Sequence, residues 1–164
     1  MAEHEVVGAR GGAGGAARAP WAERLAALWL AARLAPLALT LSPRLRRAPA
    51  VRVAARLAPR RSATRRRVRP LAAATWLADR LVNWLPWQYG GRCVRRALLL
   101  YYAATRCGYP AQIVFGVRHA GDGLVGHAWL ELDRRLFLEQ VTDPHGAYVE
   151  MQRWPPATPA ERAP

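Results

Sequence analysis

The stretch Cys93–Leu132, CVRRALLLYYAATRCGYPAQIVFGVRHAGDGLVGHAWLEL, decides the fold. From Cys93 to Arg106 it is a strongly apolar run without proline or glycine, long enough for a buried helix, and Gly108 stands where such a helix takes its C-terminal cap. Ala111–Arg118 (AQIVFGVR) is rich in β-branched residues, which suit a pleated surface. Gly121–Gly123 (GDG) marks a turn, and Val125–Leu132 alternates faces. A hairpin follows, with a third strand predicted over Leu136–Gln140 after a short loop at Asp133. Helices first and an antiparallel sheet afterwards make an α+β fold, with a cysteine-bearing helix packed on a small sheet.

Outward from this stretch the texture changes. Residues 1–20 are glycine- and alanine-rich with few large apolar groups and read as a disordered tail. Order is expected from Trp21, with Leu25, Leu28, Trp29 and Ala32 at helical spacing until Pro36. There the ring and the missing N–H predict a break, hence a helical hairpin or a kinked pair. Pro43, Pro49, Pro59 and Pro70 leave short helical pieces such as Ala50–Ala58. Leu71, Trp76, Leu77, Leu81, Trp84 and Leu85 form an apolar stripe that stops at Pro86, the pattern of a packing helix. We expect one globular unit: an arginine-rich helical region over 21–85, a core over 86–150 and a proline-rich tail over 151–164.

The chain has 164 residues, 25 basic against 11 acidic, for a net charge of +14, and every basic residue is arginine. Much of the excess lies between Arg44 and Arg69. Guanidinium groups bind planar anions through paired hydrogen bonds, so this run suits phosphates, anionic lipid or an acidic partner, and equally a solvated face. A nucleic-acid or membrane-surface binder is thus one function class to weigh, although it explains the charge and not the cysteine-histidine pattern. Two cysteines make no disulfide framework and the opening residues show no signal-peptide pattern, so a cytoplasmic setting is expected, at most peripheral to the inner membrane face. Leu25–Leu41 is apolar, but Arg33 and Pro36 interrupt it, which favours an interfacial or buried helix over a span.

A thiol is a nucleophile only as thiolate, and the positive end of a helix favours that form. Cys93 opens its helix; Cys107 sits at the other end, where the dipole has the wrong sign. About 21 Å of continuous helix would separate them, too far to bridge. A thiol also needs a base held in one orientation. His4 lies in the tail, His119 borders the glycine turn and His145 follows Thr-Asp-Pro, whereas His127 lies on the alternating strand, sharing a face with Trp129 and Glu131. Each residue alone suits a structural role; together, in this chain order, they suit papain-like and transglutaminase-like sites. The oxyanion donors expected are the Cys93 backbone N–H and, as candidate, Gln88 in the WQYGGR loop. No cofactor or metal is expected.

The same run resembles the leader peptidases of lasso-peptide biosynthesis, a transglutaminase-like group whose signature pairs a cysteine-headed helix with a glycine-valine strand and a HAW-E strand. The resemblance covers about Arg92 to Gln140. It implies a cysteine endopeptidase that frees a ribosomally made precursor from its leader, acting with a separate precursor-recognition protein and an ATP-dependent cyclase; no specific nucleic acid is implied. An amidase or transglutaminase-type acyltransferase on the same fold is the alternative. In that family the third catalytic group lies twelve positions after the histidine and is usually aspartate; here it is Glu139, with Asp143 in reserve. A plain two-residue turn at Asp133–Arg134 would pair Leu132 with Arg135 and turn Glu139 away from His127. A three-residue loop or bulge is therefore expected, placing Glu139 beside one imidazole nitrogen while the other faces Cys93. Glu131, about 13 Å along the strand, is too far to orient the ring.

Overall fold

In the computed structural model, residues 20–59, 66–85, 89–139 and 147–156 are described. Four helices precede a four-stranded antiparallel sheet: α1 Pro20–Arg47, α2 Ala50–Leu57, α3 Val68–Trp84, α4 Arg92–Arg106, β1 Gln112–Ala120, β2 Gly123–Leu132, β3 Arg135–Leu136 and β4 Val149–Trp154. The sheet order is β3-β2-β1-β4. The fold is α+β, and α4 is its centre. Every residue from Ala97 to Thr105 is buried, and α4 packs against α1, α2, α3 and both long strands. Its end is closed by Gly108 at φ +84, with the Tyr109 N–H on Ala104 O and the Gly108 N–H on Thr105 O. These two bonds satisfy carbonyls that a helix end otherwise leaves open.

Pro36 does not break α1. It and Pro43 lie inside one 28-residue helix. The opposite face carries Leu30, Leu34, Leu37, Leu41 and Leu45, none more than 9% exposed. Burying a leucine is worth about 1.5–3 kcal/mol, and an interior proline costs about 3 kcal/mol, so five leucines outweigh two prolines. The Thr40 hydroxyl donates to the Pro36 and Leu37 carbonyls at 3.0 and 3.1 Å. In α3 the stripe read from the sequence is partly rotated. Leu71, Ala74, Ala78 and Val82 are buried, whereas Trp76 and Trp84 face outward with Arg80 over both rings.

The hairpin forms in the register Val114↔Trp129 and Gly116↔His127. The third strand differs from expectation in two ways. It pairs only Glu131↔Leu136 and Leu132↔Arg135, through the plain two-residue turn, with Asp133 and Arg134 both at positive φ (53° and 59°). Two left-handed residues match the twist of a tight hairpin, so no bulge is needed. After the Phe137 N–H bonds Leu130 O at 2.9 Å, Leu138 at φ 59° turns the chain out of the ladder. A fourth strand, Val149–Trp154, pairs with β1, so residues 151–154 belong to the sheet and not to a tail.

Candidate active site

Cys93 is the second residue of α4, after Gly91 at φ +62 and Arg92. At that position its backbone N–H lacks an intrahelical acceptor and the helix's positive end faces the thiol. Arg95, 2% exposed, ties the start of the helix down: its guanidinium donates to Leu85 O at 2.8 Å and to Gly91 O at 3.3 Å. The end of α3 and the cap of α4 are thereby fixed to each other, and Cys93 with them.

His127 comes from β2. β3 pairs only with Glu131 and Leu132, so among the described residues no strand covers the outer edge of β2 at His127. One cavity of about 260 Å³ opens there, lined by Cys93, His127 and Glu139 together with Asp79, Asn83, Arg92 and Arg96. Burial and the nearby Arg96 cation hold the His127 pKa below its ordinary value. The ring is therefore neutral at neutral pH, the form that accepts a proton. Cys107 is 2% exposed, and burial pushes its thiol up to about 11 despite Arg67. It does not line the cavity of Cys93.

Glu139 reaches this cavity by a route other than the expected one. The two-residue turn would have sent it to the wrong face had β3 continued, but the bend at Leu138 ends the strand first. Its carboxylate is not on the imidazole. Arg96 takes it at 3.1 Å, holds Asp79 of α3 at 2.7 Å, and donates to Leu138 O at 2.9 Å. A guanidinium within hydrogen-bond reach is a stronger partner for a buried carboxylate than a neutral ring. Burial still raises the Glu139 pKa above the ordinary carboxylate value, against the opposing pull of Arg96 and a Leu130 backbone hydrogen bond.

Arg96 is the residue sequence reasoning missed. Its signal was its position one turn after Cys93, on the same side of α4. Glu131 lies too far along β2 to orient the imidazole, yet it supports the site from below. It is fully buried, accepts the Trp129 indole N–H at 2.8 Å, and pairs with Arg153 at 2.7 Å; Arg153 also binds Gln112 and Glu150. Trp129 in turn stacks on His127, with centroids 6.0 Å apart, and Tyr148 lies 5.2 Å from the same ring. Gln88, Asp143, His4 and His145 lie outside the described residues; His119 is exposed near the hairpin end.

A thiol on a helix start and a histidine on a sheet edge, lining one cavity, fit the arrangement of papain-like thiol enzymes. The chain belongs to the transglutaminase-like superfamily, whose family model matches residues 28–153. This superfamily comprises cysteine peptidases and acyltransferases. Comparison with curated proteins and with solved structures gave no match.

Proposed function

We propose that the protein is a cysteine endopeptidase that removes the leader of a lasso-peptide precursor. The observation that carries this reading is the shared cavity of Cys93, His127 and Glu139. The HAW-E strand and the cysteine-headed helix give the substrate class through resemblance. His127 takes the thiol proton, and the Cys93 sulfur attacks the scissile carbonyl; the C–N bond then breaks as the imidazolium protonates the leaving amine. That amine is the N-terminus of the core peptide, the group a separate cyclase joins to a side-chain carboxylate. Water, deprotonated by His127, hydrolyses the thioester and releases the leader acid. The Cys93 backbone N–H and Gln88 are the proposed oxyanion donors. Glu139 is the proposed third group; in the ion pair with Arg96 it fixes the cation that depresses the His127 pKa, and Asp143 is the reserve candidate for that role.

The test is cleavage of a precursor peptide by the purified chain with its separate recognition protein, in water and in water containing a primary amine. The expected products are leader acid and free core. Transfer of the leader acyl group to the added amine at the expense of hydrolysis would instead identify an acyltransferase.

A further inference from the structure

We infer that the outward face of α1 is a membrane-docking surface that seats the protein on an anionic bilayer with the helix parallel to it. This stands independently of the peptidase reading. α1 contains a window of mean hydropathy 1.6 of which 28% is buried. A helix that apolar is ordinarily hidden in a core; most of this one is not.

The apolar residues fall into two opposed groups. Leu30, Leu34, Leu37 and Leu41 are 0–6% exposed and packed in the core. Trp21, Leu25, Leu28 and Leu39 are 56–66% exposed, and at 100° per residue they fall within about 60° of one another. A soluble helix carries polar groups on that side. Because its inner face is fastened to α3 and α4, α1 cannot stand across a bilayer, which leaves lying in the interface.

Charge selects the occupant. Arg24 and Arg33 flank the strip, and Arg44, Arg46 and Arg47 crowd the last turn. The one acid of α1, Glu23, is paired with Arg69 at 3.3 Å. An apolar strip that includes Trp21 and is bordered by arginines matches headgroups over acyl chains.

Flotation of the full chain with vesicles tests this. The protein should float with mixed phosphatidylcholine–phosphatidylglycerol vesicles and bind pure phosphatidylcholine more weakly by at least about tenfold. The Leu25→Glu/Leu28→Glu variant should lose binding by a similar factor while keeping its thermal melt, since both side chains are exposed. Wild-type protein that stays unbound, or a variant that floats like wild type, overturns the proposal. So does a dimer that the variant dissociates, because a second copy would then cover the strip. Should the variant not fold, wild-type tryptophan emission decides: quenching by brominated lipid supports the docking, and unquenched emission refutes it.

Discussion

Cys93 and Cys107 share one helix but are opposite in environment, and the difference is chemical before it is functional. Cys93 is partly exposed on a cavity; Cys107 is sealed in the core with its pKa raised to about 11. Iodoacetamide at neutral pH should therefore label Cys93 first, and Cys107→Ala should keep activity while Cys93→Ala abolishes it. Preferential labelling of Cys107 with loss of activity would contradict this. His127 supplies the pH test. Its pKa lies below the ordinary histidine value of about 6.5 because burial and Arg96 both oppose the charged ring. Protonation disables the base, so the acid limb of kcat/KM should fall below that value, and Arg96→Met should move the limb upward by removing the cation. A limb unmoved in the variant would show that Arg96 does not act on the imidazole. Glu139→Gln should also weaken activity, with Glu139→Asp retaining part of it; wild-type turnover in Glu139→Gln would remove Glu139 from the site. Cys93 and His127 were legible because backbone position governs them, one at a helix start and one on an alternating strand. The partner of Glu139 was not, because a long guanidinium from another element decides it.

At the level of elements, the hairpin was legible from composition, while its continuation depended on single backbone angles. Two left-handed residues at Asp133–Arg134 set the register, and a third at Leu138 ended the strand. A leucine in that conformation carries no sequence signal, since the conformation normally marks glycine or asparagine. The side of the hairpin that carries Trp129 and the buried Glu131 yields a stability prediction. Glu131 and Arg153 form an ion pair with side chains 0% and 6% exposed. Removing one charge of such a pair costs about 3–5 kcal/mol, so Glu131→Gln should lower Tm by roughly 6–20 °C at about 2–4 °C per kcal/mol. It should also loosen Trp129 and with it the ring that stacks on His127. Gly116 is the matching requirement on β1. A Cβ there would lie 2.8 Å from the Trp129 indole and 3.0 Å from Val149 O. Gly116→Ala should therefore reduce activity and shift tryptophan emission, and an unchanged variant would show that the indole moves freely.

Across the whole molecule, one core joins the N-terminal helices to the sheet, running from Leu30 in α1 to Leu130 in β2. The proline punctuation of the first half suggested separate short pieces, because local propensity counts each proline and not the leucines behind it. Tertiary burial overrode it in α1. The helices therefore hold the start of α4 against the sheet edge, and in the proposed reaction this brings one thiol, Cys93, to a peptide carbonyl. Its most direct measurement is intact-mass and peptide-mapping analysis of the chain quenched in acid during turnover of a precursor with its recognition protein. The proposed reaction gives a leader-acyl adduct on Cys93 and released core peptide, and neither species with Cys93→Ala. An adduct on Cys107, or core peptide released undiminished by Cys93→Ala, would contradict it.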